Sequence, residues 1–145
     1  MASNAKDAGK GFLLQGDLNA TLGPNIIKGD PNPQTGNGKL FECFLKTYNI
    51  TVVNSLSLCK GSITRQRRFV NKPSEQSIID FYAVCPRVLN YVKQMEIYND
   101  RHYIVTNYTQ VKKGGKAIDT DHNTLLLELN LQTCPVINKK REIFV

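Results

Sequence analysis

The chain has 145 residues, 41% hydrophobic and 21% charged, which suits one globular domain with an ordinary core. A net charge of +7 leans toward polyanionic partners, and no apolar run approaches the length of a membrane span. The four cysteines (Cys43, Cys59, Cys85 and Cys134) lack CxxC spacing and stand with only two histidines. That argues against structural zinc and reads as reduced thiols of an intracellular protein, nuclear or cytoplasmic.

Residues 1–10 contain no apolar signal core and read as a leader or truncated start before a domain over residues 11–134. Without a secretory signal, the glycosylation sequons at Asn19, Asn49 and Asn107 read as chance matches. GFLLQ (11–15) reads as a buried strand ending at Gly16. Residues 23–38, rich in Gly, Pro and Asn, read as a long surface loop. Its GNGK is no phosphate loop, because Pro33 stands where the first glycine is needed and Leu40 replaces the hydroxyl. Leu40, Phe41, Phe44, Leu45 and Tyr48 predict an amphipathic helix over 39–48, with Asn37 as its cap.

ITVVN (50–54) predicts a β-branched strand, and SITRQRRFV (62–70) another, with Ile63, Arg65 and Arg67 on one face. NKPSE (71–75) is a turn before SIIDFYAVC (77–85), an apolar strand closed by Pro86. Residues 88–97 fit a short turn and then a strand. YIVTNY (103–108) and TLLLELNL (124–131) read as strands around the flexible basic loop KKGGK (112–116), and a basic tail follows from residue 135. Six or seven strands against one or two helices place the chain in the α+β (α/β layered) class.

Three polar clusters stand at ends of apolar strands. In GDLN, extended backbone puts Asp17 and Asn19 on one face, where a carboxylate and an amide can bind a metal-ligated water and a phosphate oxygen. A plain turn is the other reading. Asp80 lies inside an apolar strand, where a carboxylate needs a partner. It suits a structural ion pair, or the orientation of a histidine and stabilisation of its cationic form. In TDHN, His122 stands where a loop meets a buried strand, beside Asp121, a hard-oxygen ligand suited to magnesium or manganese. His102, beside Arg101, reads as a surface residue.

GDLN, SIIDF and TDHN, in that order, resemble three signature motifs of the endonuclease/exonuclease/phosphatase (DNase-like) superfamily. The nearest likeness is to the endonuclease domain of LINE-type retrotransposon reverse transcriptases. The resemblance covers the chain from about Gly11 to Leu131. It implies one half, the C-terminal one, of a four-layer α/β/β/α sandwich with mostly antiparallel sheet. It also implies metal-dependent phosphodiester hydrolysis on nucleic acid, DNA ahead of RNA, with a magnesium or manganese cofactor. In that scheme Asp17 aligns or deprotonates the attacking water, Asn19 holds the scissile phosphate, and Asp80 hydrogen-bonds His122. His122 contacts the phosphate, and Asp121 joins the metal site. Arg65, Arg67, Arg68, Lys112 and Lys113 would face the nucleic-acid backbone.

The family's N-terminal half supplies an early asparagine and a metal-binding glutamate. Here Glu42, Glu75, Glu96, Glu128 and Glu142 come too late in order to be that glutamate. The resemblance therefore implies weak metal binding and little activity from this chain alone. An uncovered inner sheet face would favour self-association as a homo-oligomer, or a partner carrying the missing half. Two other readings stand beside the nuclease: a non-catalytic nucleic-acid-binding or assembly module of the same fold, and a phosphatase acting on small phosphorylated molecules.

Overall fold

The structure is a computed structural model describing residues 10–67, 69, 71–99, 110–111, 117–118 and 121–133. The expected strand at 103–108, the loop with Lys112 and Lys113, Arg68, His102, Cys134 and the tail lie outside these residues.

Strand β1 (Leu13–Asp17) leads through a turn-rich loop to helix α1 (Gly36–Tyr48). The loop is drawn together by the buried carboxylate of Asp30, which accepts from the Gly23 N–H at 3.0 Å and the Asn32 N–H at 3.1 Å. The helix starts three residues before the expected Lys39, and its cap is Thr35, not Asn37. Thr35 Oγ1 accepts from the Gly38 N–H at 3.1 Å and also from the Thr21 N–H at 3.0 Å. Its packed face is Gly38, Phe41 and Leu45, with Phe44 and Tyr48 alongside. Leu40, expected on that face, is 72% exposed, because it lies about 100° round the helix from Phe41. Asn49 ends the helix in the left-handed region, its N–H returning to the carbonyls of Leu45 and Lys46.

The next strands are β2 (Thr51–Val52), β3 (Cys59–Lys60), β4 (Arg65–Arg67), β5 (Glu75–Ser77) and β6 (Asp80–Val84). A 3₁₀ turn over Val53–Ser55 cuts the expected 50–54 strand short. The SIIDFYAVC segment is not one strand but two. Ile78 and Ile79 leave the ladder because the N–H groups of Ile79 and Asp80 both donate to Thr64 Oγ1, at 2.9 and 3.1 Å. Residues 88–97 resolve into helix α2 (Pro86–Leu89), with proline at its start, and β7 (Val92–Tyr98). The short β8 (Gln110–Val111) and β9 (Ala117–Ile118) pair with each other, and β10 (Thr124–Leu129) follows.

Two three-stranded sheets result, ordered β1-β6-β2 and β10-β7-β3, with β4 and β5 as a separate antiparallel hairpin. All pairings are antiparallel except β3 with β7. The period-two alternation of β6 sets the layering. Phe81 and Ala83 pack with Phe41, Leu45 and Val52 beneath α1, while Tyr82 and Val84 pack with Met95 and Ile97 of the second sheet. The described residues thus stack as helix, sheet and sheet, an α+β arrangement in which the first sheet is covered on both faces. Cys43, Cys59 and Cys85 are free thiols. None of the described helices is long and apolar enough to cross a membrane.

A β-carbon on Gly38 would lie 1.9 Å from the Thr21 carbonyl oxygen. Glycine to alanine in an open helix stabilises by about 1 kcal/mol. Gly38→Ala is expected to do the reverse, since α1 must shift away from the chain that follows β1. A lower urea midpoint than wild type checks this, and a higher one would refute the packing argument.

Candidate active site

Asp17 is the last residue of β1 and Asp80 the first of β6, and the ladder places them directly opposite each other. The Leu18 N–H donates to the Ile79 carbonyl at 3.0 Å, so the next pair along is hydrogen-bonded and Asp17/Asp80 is the close, non-hydrogen-bonded kind. Their side chains therefore rise together from one sheet end.

The third member arrives from a distant segment. Residues 121–123 lie against β4. The Asp121 carbonyl accepts from the Gln66 N–H at 2.8 Å, the Asn123 N–H donates to the Thr64 carbonyl at 2.6 Å, and His122 forms an antiparallel bridge with Arg65. Buried Asn123 strengthens the attachment, its Nδ2 donating to the Ile63 carbonyl at 2.8 Å. This pairing swings His122 over the sheet end.

His122 Nδ1 sits 3.1 and 3.0 Å from the two carboxylate oxygens of Asp80. A carboxylate only accepts, so Nδ1 carries the proton in this pair. Nε2 then faces Asp17 Oδ2 at 3.9 Å and Asp121 Oδ1 at 3.7 Å. Asp80 is the most sheltered of the group, its side chain 16% exposed against 33% for His122 and 36% for Asp17. The imidazole thus bridges a sheltered carboxylate and an accessible one.

Asp121 Oδ2 accepts from Arg65 twice, from Nε and from Nη2, both at 2.8 Å. Burial raises the Asp121 carboxyl, but the Arg65 hydrogen bond and charge, helped by a local backbone hydrogen bond and the nearby His122, outweigh it. They hold the group below the ordinary carboxylate value.

Asn19 reaches the rim by a different route from the one expected. Its φ is +45°, so the backbone is left-handed, and strand alternation does not carry it. Its N–H donates to Asp17 Oδ1 at 2.8 Å, an Asx turn, and its carbonyl accepts from Asn37 Nδ2 at 3.2 Å. Asp17, Asp80, Asp121 and His122 therefore gather at one end of the first sheet, with the backbone of Asn19 held beside Asp17.

One ligand atom each from Asp17, Asp80 and His122 lie within 4.8 Å of one another, a group able to hold a metal ion. Both Asp80 oxygens are already directed at Nδ1. The oxygens nearest Nε2, from Asp17 and Asp121, are hard donors of the kind magnesium and manganese accept alongside waters and phosphate.

Among the basic residues expected at a nucleic-acid surface, Arg65 is bound to Asp121. Arg67 is placed over the Phe69 ring, 5.3 Å from its centre, with Lys72 Nζ 3.7 Å from the same centre.

The fold is similar to that of the endonuclease domain of TRAS1, a telomere-specific non-LTR retrotransposon. The likeness has a TM-score of 0.57 at 16% sequence identity and covers 83% of this chain. The chain spans 43% of the length of that structure. No protein-family model and no curated protein sequence matches the chain.

Sequence reasoning missed Arg65 as the partner of Asp121. It also missed the buried polar residues Thr64, Asn54 and Asn123 that support the rim. Each is one polar residue at the end of an apolar run, a pattern that also describes ordinary turns.

The Arg65–Asp121 pair makes a signed prediction. An acid whose folded value is lowered adds stability above its ordinary value of 3.8, and that stability is lost as pH falls through the folded value. Arg65→Gln should cost below about 1 kcal/mol near neutral pH, because the pair is partly exposed. The gap between wild type and variant in urea melts should close as pH drops below 3.8. A gap that widens in acid would contradict the assignment.

Proposed function

We propose that this chain carries the catalytic rim of a metal-dependent endonuclease that hydrolyses phosphodiester bonds in nucleic acid, DNA ahead of RNA. One observation carries the reading: a single imidazole with Nδ1 held by Asp80 and Nε2 turned toward Asp17, on a fold similar to a retrotransposon endonuclease domain.

In this reading Asp17 aligns the attacking water and takes its proton as the new phosphorus–oxygen bond forms. The bond to the leaving oxygen breaks in line on the opposite side. Asn19 holds a non-bridging oxygen of the scissile phosphate, aided by the turn that fixes its backbone. His122, with both ring nitrogens protonated, donates from Nε2–H to a phosphate oxygen, while Asp80 accepts from Nδ1–H, orients the ring and stabilises its cationic form.

Three carboxylates against one guanidinium leave the rim negative, so a dianionic transition state needs further positive charge there. A magnesium or manganese ion, held by Asp121 Oδ1, would supply Lewis-acid polarisation of the phosphoryl oxygens. One carboxylate is a sparse site for such an ion, and affinity in this chain alone is expected to be weak.

The hairpin of β4 and β5 would present Arg67 and Lys72, which rest on the Phe69 ring with Lys72 also paired to Glu75 at 3.2 Å, to the nucleic-acid backbone. Arg68, Lys112 and Lys113 would extend the same charge. Completion by a second chain or a second copy would use β1 or β10, each at a sheet edge among the described residues.

The reading is tested by nicking of supercoiled plasmid with excess magnesium or manganese, at high chain concentration and long incubation, since little activity is expected of this chain alone. Cutting should stop with chelator and fall about 10²- to 10⁴-fold in His122→Ala and Asp17→Asn. Arg67→Ala and Lys72→Ala should weaken binding and flatten its salt dependence, with the rate on saturating DNA kept. Equal cutting by wild type and His122→Ala would end the proposal.

A further inference from the structure

Asp80 can orient His122 only if its own backbone is held, yet the ladder is thin at that point. β2 ends at Val52, and the pairing with Asp17 of β1 is of the non-hydrogen-bonded kind, so neither neighbouring strand bonds the Asp80 backbone. Two side chains do so instead. Asn54 Nδ2 donates to the Asp80 carbonyl at 3.1 Å while its Oδ1 accepts from the Tyr82 N–H at 3.1 Å, which prolongs the ladder past the end of β2. Thr64 Oγ1 accepts from the N–H groups of Ile79 and Asp80.

Thr64 differs from Asn54 in one respect. Its main chain also holds the histidine's segment, because its carbonyl accepts from the Asn123 N–H at 2.6 Å. One fully buried residue is therefore hydrogen-bonded to the chain at Asp80 through its side chain and to the chain beside His122 through its backbone. The two partners are 42 residues apart in sequence, and Thr64 is a short route between them.

We propose that Thr64 is a positioning residue for the Asp80–His122 pair, its hydroxyl setting where the Asp80 carboxylate meets Nδ1. Its catalytic consequence rests on the endonuclease reading above, but its geometric consequence does not. Valine keeps the shape and removes the acceptor, so the Ile79 and Asp80 N–H groups must find new partners and the strand start must move. A misplacement of about 1 Å at such a pair costs about 10²-fold in rate. The cost should fall on kcat, since Thr64 is buried away from the rim. Serine keeps the oxygen and should behave as wild type.

The readout independent of cutting is the imidazole tautomer, from long-range proton–nitrogen correlation in alkaline buffer. Loss of the signals in His122→Gln assigns them, leaving His102 as the only other histidine. Wild type and Thr64→Ser should hold the proton on Nδ1, and Thr64→Val should give a tautomer mixture. Thr64→Cys, a weaker acceptor, should fall between and serves if the valine variant does not fold. A folded valine or cysteine variant with the wild-type tautomer would overturn the proposal, as would a serine variant that loses it. If wild type holds the tautomer but cuts nothing, the endonuclease reading fails while Thr64 keeps its role.

Discussion

A carboxylate at the first residue of a strand buried on both faces is tolerable only where other groups take up its lone pairs and charge. Asp80 meets that condition at the end of β6. Its side-chain oxygens meet His122 Nδ1, its N–H meets Thr64, and its carbonyl meets Asn54. Each partner comes from a different part of the chain, so the site and the joining of those parts are one event. Asp17 is then placed by strand pairing alone, opposite Asp80.

The charge on the rim is arranged in two pairs. Asp80 faces the imidazole from the sheltered side, and Arg65 neutralises Asp121 from the other, leaving Asp17 the most exposed carboxylate. The group that holds the histidine is shielded from solvent, and the carboxylate on the other side of the ring is open to it. Arg65 was expected on a nucleic-acid surface from its place in a basic run. Its commitment to Asp121 shows how a charge that reads as solvated can be spent on organising a neighbour.

The helix contributes through contact with the chain that follows β1. Thr35 caps α1 and also binds Thr21, Asn37 binds the Asn19 carbonyl, and Gly38 lets the Thr21 carbonyl approach where no side chain fits. The left-handed backbone of Asn19 is thus held from the helix start as well as by Asp17. Packing of Phe41 and Leu45 on the first sheet sets the distance at which these polar contacts form.

Much was legible in the sequence itself. Hydrophobic periodicity located α1, β1, β6 and β10 to within a few residues, but β1, read as a buried strand, lies at a sheet edge with Leu13 38% exposed. Polar residues at strand ends marked Asp17, Asp80, Asp121 and His122 as candidates, since carboxylates beside apolar runs need partners. The break between β5 and β6, the 3₁₀ turn after Val52, the true cap of α1 and the left-handed Asn19 were not legible. Each depends on hydrogen bonds to residues 2 to 28 positions away, competing with local propensity. Chain order determined which chemical groups were available. The tertiary structure alone decided which of them meet, because a distance such as that from His122 to Asp80 is set by buried contacts through Thr64 that no local pattern encodes.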